Sequence, residues 1–297
     1  MIPGSASKSA ELIGSAPPAA VPFARREAAI RDHGGHRAID SRPAAGPGLA
    51  EIRAGEHFYL RWPAVRSCAS LEDTLFGLAE PVHVLSDGAV RLETTYLSRV
   101  ENAGWLDEYE LRLAETVLAW LEKFPLATLG LPLLAAGLGK RSAWTVIANR
   151  LAQRRDLAVR LTIELRFQSE SPDVSKIANF AAHCRDIGCR IAMSGFGDGD
   201  LAIAHIIAAR PANVRIAPSF VARAGLSDDA RDLLAHLVAT IDGLTDRPAA
   251  IVDGVEDRRA AEIAHECGAH WMAGRYCGFA LRGFAPVQAL KGRMRFV

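Results

Sequence analysis

Long apolar runs are missing from this 297-residue chain. None approaches the ~20 apolar residues that cross a bilayer, and the first 30 residues lack the continuous apolar core of a signal peptide, so neither a membrane span nor a secretory leader is expected. Cysteine is scarce. The five present (Cys68, Cys184, Cys189, Cys267, Cys277) are an odd number, sit in apolar segments and form no C-x-x-C pair, which suits reduced buried thiols in the cytoplasm. Charge of one sign is not in excess either. The formal net charge is +1, and the basic residues are scattered rather than striped, so the footprint of a nucleic-acid-binding surface is absent. No strand candidate runs into G-x-G-x-x-G or G-x-x-x-x-G-K-S/T, which argues against an open-sheet nucleotide-binding fold.

With 49% hydrophobic and 23% charged residues, the chain can bury one large core or two small ones. Residues 1 to about 50 are rich in Ala, Pro, Gly and Ser, as in "GSAPPAAVPFARR" and "SRPAAGPG", and are expected to form a disordered tail. That tail is expected to be too poor in apolar residues to fold as a domain of its own. Its "RREAAIRDHGGHR" reads as a solvated charged stretch, with a short basic contact patch as the sharper alternative.

From residue 51 to 297 a single domain is expected. Short apolar runs, "HFYLRW", "AEPVHVL", "LGLPLL", "LTIEL", "RIAM", "VRIA", "AAIVDG" and "HWMAG", read as eight strands. Between most of them lie patterns with apolar positions three and four apart, such as "YELRLAETVLAWLEKF" and "VSKIANFAAHCRDIG", which read as helices. Eight strands with intervening helices fit an α/β fold of the (β/α)8 TIM-barrel type, whose working face is built where strands run into helices. On that face Glu164, Ser194, Gly195, Arg215, Asp253, Glu256 and Ala273 should meet.

The residues then resemble a known family, the EAL-type cyclic di-GMP phosphodiesterases, over about residues 55 to 282. "RWPAV" resembles the opening Q-P-I-V strand, and "EPVHVLSDGAV" the E-A-L-L-R segment with its D-G turn. "YLSRVENAGWLDEYE" resembles F-I-P-x-A-E-x-x-G-L-I, "RLTIELRF" resembles E-I/L-T-E, and "CRDIGCRIAMSGFGDG" resembles the L-R-x-L-G segment ending in D-D-F-G-x-G. "VRIAPSFV" resembles I/V-K-I-D-x-x-F-V. "IVDGVEDRRAAEIAHECGAHWMAGRYCGFAL" resembles the segment that opens with A-E-G-V-E and closes with Q-G-Y-x-F-G-x-P-L. The resemblance implies a TIM-barrel-like EAL fold with an antiparallel first strand. It also implies an activity, hydrolysis of cyclic di-GMP to pGpG with Mg²⁺ or Mn²⁺, that needs several hard oxygen ligands around two metals.

A shared fold does not carry activity with it, so the positions decide. The family's metal glutamates fall on Glu80, Glu164 and Glu256. Its ligating Asn falls on Leu134, or on Gly130 in a shifted register; its D-D pair falls on Ser194 and Gly195; its Lys falls on Arg215 and its Gln on Ala273. The arginine four residues after the first glutamate falls on Val84. With those ligands lost, the expected function is a catalytically inactive signalling module with no resident metal. It would bind a regulatory protein of unspecified identity, or cyclic di-GMP through Arg166, Arg215 and Arg275, and pairing of two copies is compatible with this. The alternative is a slow phosphodiesterase using Mg²⁺ or Mn²⁺ on Glu80, Glu164 and Glu256. Arg166, two residues after Glu164 and so on the same side of a strand, and Arg215, a planar fork, are expected to neutralise the glutamates where metals would otherwise sit.

Other residue clusters carry less. Asp198 and Asp200 lie in a Gly-rich turn where Asp commonly takes backbone hydrogen bonds. His265, Cys267 and His270 straddle a helix end and the next strand, so their side chains should diverge, and His33 with His36 falls in the tail. Ser194 has no G-x-S-x-G context for a nucleophile.

Overall fold

The computed structural model describes residues 57–84, 90–92, 106–136, 138, 142–167, 172–198, 201–282 and 285–286. They fall in the unit Gly48–Val297. The expectations made for residues 1–50, His33 and His36 included, and for Asp200 lie outside the described residues.

Eight strands close into a barrel in the order β10-β11-β2-β3-β6-β7-β8-β9. They are β2 (Ala64–Ser67), β3 (Thr74–Leu78), β6 (Leu129–Leu134), β7 (Leu161–Arg166), β8 (Arg190–Phe196), β9 (Asn213–Ile216), β10 (Ala249–Val252) and β11 (Trp271–Ala273). Strand β2 runs antiparallel to both of its neighbours, β11 and β3, and the other pairings are parallel. A separate four-stranded sheet has the order β12-β1-β4-β5, built from β1 (His57–Arg61), β4 (Glu80–Val84), β5 (Val90–Leu92) and β12 (Ala285–Pro286).

This corrects the strand assignment at the start of the domain. "HFYLRW" and "AEPVHVL" form β1 and β4 of the side sheet, whereas barrel strands β2 and β3 come from the runs that follow "RWP" and precede "AEP". A continuous chain makes this possible because β1 and β2 flank Trp62-Pro63, and β3 and β4 flank Ala79. Each long extended segment serves both sheets.

The helices cover the outer face of the barrel: α1 (Leu106–Lys123), α2 (Ser142–Gln153), α3 (Arg155–Ala158), α4 (Val174–Ile187), α5 (Ile203–Ala209), α6 (Pro218–Ala224), α7 (Asp228–Asp242) and α8 (Arg258–Glu266). Strand alternation sorts the side chains. Leu161, Ile163 and Leu165 of β7 join the large core shared with Leu113, Leu118, Ile177 and Leu234 of the helices. Val65, Phe76, Leu78, Ile251 and Ala273 form a second, smaller cluster from four adjacent barrel strands. The period of two therefore fills the lower barrel with apolar groups and leaves the positions nearer the strand ends to Glu164, Arg166 and Arg215.

Helix starts follow local chemistry. Asp257 accepts a hydrogen bond from the Ala260 amide (2.9 Å) at the start of α8, satisfying one of the orphan N–H groups of the first turn. Asp257→Ala is expected to cost about 1 kcal/mol, lowering the melting temperature by about 3 °C in thermal denaturation.

Candidate functional site

Two rows of in-register residues build the mouth. The lower row carries Pro132, Glu164, Ala192 and Asn213 across β6, β7, β8 and β9; the row above it carries Leu134, Arg166, Ser194 and Arg215. Glu164 is 1% exposed and Arg215 8%. Both arginines of the upper row reach the Glu164 carboxylate. Arg166 Nε lies 3.4 Å from Oε1, and Arg215 Nη1 lies 3.4 and 3.3 Å from Oε1 and Oε2. The Nε of Arg215 sits 3.6 Å from Asp253 Oδ2, close enough for an ion pair and too far for a hydrogen bond. Burial pulls the Arg215 guanidinium down, but the charges of Asp253, Glu164 and Glu80 outweigh it and hold the group above its ordinary range.

The remaining acids are also paired. Glu80 forms an ion pair with Arg61, its cross-strand partner in the β1–β4 ladder. Glu256, in the segment between β10 and α8, lies with its carboxylate 3.3 Å from Arg275 Nε, in a pair that is mostly exposed. Glu80, Glu164, Asp253 and Glu256 thus each face at least one of Arg61, Arg166, Arg215 and Arg275. Arg61 was not among the residues that the sequence patterns singled out. Its only signal is that it immediately precedes the Trp-Pro step between sheets, and the register needed to pair it with Glu80 is not local.

The other positions that the sequence resemblance singled out are placed as follows. Leu134 is buried at the end of β6, and its amide donates to Oε1 of the buried Glu110 of α1 (3.1 Å). Gly130 lies deeper; a Cβ there would meet Phe76 and Leu78 at 3.0 Å, so that register points into the packed lower barrel. Ser194 and Gly195 do not end a strand, as the sequence suggested, because β8 continues to Phe196 with a register shift between Ser194 and Phe196. Gly195 has φ +95°, in the left-handed region that L side chains rarely adopt. An aspartate there would be strained, with its Cβ 3.3 Å from the Phe167 carbonyl oxygen. Ser194 Oγ donates to the Leu165 carbonyl (3.4 Å), Ala273 is buried in the inner apolar cluster, and Val84 is the last residue of β4. Asp198 is exposed in the turn after β8.

Among the described residues no group of three or more His, Cys, Asp or Glu is placed to hold a metal ion. The donor set left at the mouth does not fit the two metals of the family reaction, since each candidate carboxylate faces a guanidinium. Cys267 Sγ contacts the Arg231 carbonyl at 3.5 Å and His270 Nδ1 lies 3.8 Å from Asp242. His265 and His270 line a cleft of about 740 Å³ by the starts of β10 and β11, at the barrel end away from the mouth. All five cysteines are free. Burial pushes the Cys68 and Cys189 thiols up to about 12 and Cys277 up to about 11, which keeps them protonated and unreactive at neutral pH. No described helix is long and apolar enough to cross a membrane.

A closed eight-stranded barrel with one antiparallel strand and an acid-bearing mouth defines a TIM-barrel-like protein with its site at the strand ends. The EAL domain family model matches residues 81–279, and the chain belongs to that family. Solved structures agree on the fold. An EAL domain protein from Listeria monocytogenes EGD-e aligns with a TM-score of 0.66 at 14% identity, covering 77% of this chain and 89% of that one. The PaMucR phosphodiesterase in complex with c-di-GMP aligns with a TM-score of 0.64 at 15% identity, covering 78% and 93%. A standalone versatile EAL protein from Vibrio cholerae O395, in its c-di-GMP-bound form, aligns with a TM-score of 0.61 at 14% identity, covering 75% and 92%. Comparison with curated proteins found no match.

Proposed function

We propose that this chain is a cytoplasmic signalling module of the EAL family that does not hydrolyse cyclic di-GMP and acts by holding the dinucleotide intact or by docking on a regulatory protein. The observation that carries this reading is the pairing of Glu164 with both Arg166 and Arg215. Two-metal hydrolysis needs several oxygen donors free to hold divalent cations, so that bound water ionises and the attacking and leaving oxygens are neutralised. Here the retained carboxylates face guanidinium groups, which repel a cation. Leu134, Ser194 and Gly195 supply no replacement. A further sign is Gly195 itself, whose φ of +95° disfavours any residue with a side chain at that position.

Cyclic di-GMP is the ligand to test because PaMucR and the Vibrio cholerae O395 protein were solved with it. Arg166, Arg215 and Arg275 are the guanidinium groups proposed to meet its phosphates, by exchanging a carboxylate partner for a phosphate. Residues Val84 and Ala273, in place of an arginine and a glutamine, favour the protein-docking form.

Calorimetric titration with cyclic di-GMP, once with Mg²⁺ and once with chelator, combined with chromatography for pGpG, tests the reading. The expected result is no pGpG release above the enzyme-free rate with Mg²⁺ or Mn²⁺. Metal-independent binding would make the chain a receptor, and no binding in either buffer would leave the docking form. Release of pGpG that stops in chelator would overturn the proposal and assign a slow phosphodiesterase to Glu80, Glu164 and Glu256.

A further inference from the structure

The cleft of about 740 Å³ at the barrel end away from the mouth falls within the size range of small-molecule sites. Its walls come from the end of α7 and the loop after it, the start of β11 and the end of β2. Trp271 is half-buried: it packs against the inner apolar cluster of the barrel and also lines the cleft. The indole therefore closes the lower barrel and offers its remaining surface to whatever enters the cleft.

This end of a barrel ordinarily serves stability, and its charges are expected to be paired within the chain. One arginine there follows the rule. Arg210, at φ +50°, donates two hydrogen bonds to the Asp246 carboxylate, at 2.9 and 2.7 Å. Arg247 departs from it. It is the only other non-glycine residue at positive φ among the described residues, at +47°, and it lines the cleft. Its backbone is held by the amide, which donates to the Leu244 carbonyl (2.8 Å), but its side chain is exposed and forms no hydrogen bond or ion pair among the described residues. The adjacent acid, Asp246, is already engaged through both oxygens by Arg210. Strain retained without an internal contact points to a contact outside the chain.

The rest of the wall fits an anion. Asp242 is the only acid among the lining residues, with His270 Nδ1 3.8 Å away. Against it stand the Arg247 guanidinium and the imidazoles of His265 and His270. Ser67 Oγ accepts from the Ala69 amide (3.1 Å) and keeps its own O–H to donate.

We infer that this cleft binds a phosphate monoester carried on a planar ring, of the nucleoside monophosphate class. The phosphate sits on the Arg247 fork, where its several oxygens also suit the Ser67 hydroxyl and the imidazoles, and the ring lies against Trp271. The site is at the opposite end of the barrel from the mouth and does not rest on the function proposed above.

The probes are AMP, adenosine and inorganic phosphate. The readout is the set of five indole N–H cross-peaks in a nitrogen–proton correlation spectrum of the full chain, with Trp271 assigned through Trp271→Phe. AMP is expected to move the Trp271 cross-peak selectively and saturably, with adenosine and phosphate each about tenfold weaker. Arg247→Gly removes the guanidinium at a backbone angle that glycine adopts without strain. It should therefore leave the melting temperature within a few degrees of wild type, weaken AMP about tenfold and spare adenosine. A Trp271 cross-peak that AMP leaves in place up to its solubility limit would overturn the inference, and so would AMP binding undiminished in Arg247→Gly. A large fall in the melting temperature of Arg247→Gly would make the arginine a structural residue and overturn it as well.

Discussion

Glu164→Gln is expected to lower the melting temperature by about 10 °C. The substitution keeps volume and shape but removes the negative charge that both Arg166 and Arg215 contact, and Arg215 is nearly fully buried. Removing one partner of a buried pair costs about 3–5 kcal/mol, because the remaining charge stays desolvated without its nearest counter-charge. Each kcal/mol is worth about 2–4 °C in a domain of this size. Arg215 cannot escape by shedding its proton, since Asp253 still holds it charged from 3.6 Å. Adding Arg215→Met to Glu164→Gln should recover more than half of the loss, because the pair is then replaced rather than broken. Thermal denaturation followed by circular dichroism decides the matter. Equal melting temperatures for wild type and Glu164→Gln would mean that the carboxylate is not held by the arginines. A stabilisation of wild type by Mn²⁺ that the variant lacks would instead make Glu164 a metal ligand.

Gly274→Ala should be at least as damaging, with a loss of about 4 kcal/mol or more and little folded protein recovered. Gly274 has φ +145°, and a Cβ there would stand 2.4 Å from the Val255 carbonyl oxygen and 2.5 Å from its nitrogen. Neither atom is free to move. The Val255 amide donates to the Ala273 carbonyl (2.9 Å), and the Val255 carbonyl accepts from the Tyr276 amide (3.0 Å). Strain and overlap therefore fall on a clamped segment, the combination behind the largest single-residue effects. The same clamp sets Glu256 beside Arg275, so a folded Gly274→Ala protein should also lose that ion pair. A melting temperature within a few degrees of wild type would show that the close approach of the two chains is not needed.

Much of this architecture was legible in the residues. Strands such as "LGLPLL" and "LTIEL" lie where their apolar runs placed them, because parallel barrel strands are buried on both faces and read as near-continuous apolar stretches. Glu164 and Arg166 were expected on one side of a strand from the period of two alone, and their side chains meet. That Leu134, Gly195 and Ala273 offer no side-chain oxygen was legible as well, since donor chemistry is a property of the residue itself.

The first two barrel strands were not legible. "AVRS" and "TLFGL" are short, contain Arg66, Ser67 and Gly77, and look weaker than the neighbouring "HFYLRW" and "AEPVHVL", which form the side sheet instead. Choosing between them requires knowing where the barrel closes, and closure depends on β11 pairing with β2 across about two hundred residues of chain. The continuation of β8 through Gly195 was hidden for a related reason. A positive φ inside a strand is set by the register shift against β9, which no local pattern records.

The sequence by itself therefore determined most of the element types and the alternation that sorts side chains between the two sides of a strand, because each follows from the chemistry of residues a few positions apart. Only the tertiary structure decided that Arg61 would meet Glu80, that Arg215 would bridge Glu164 and Asp253, and that Arg275 would meet Glu256. Such charge pairs depend on which strands and loops the closed barrel brings side by side, and a charged side chain carries no record in the linear chain of the partner it will face.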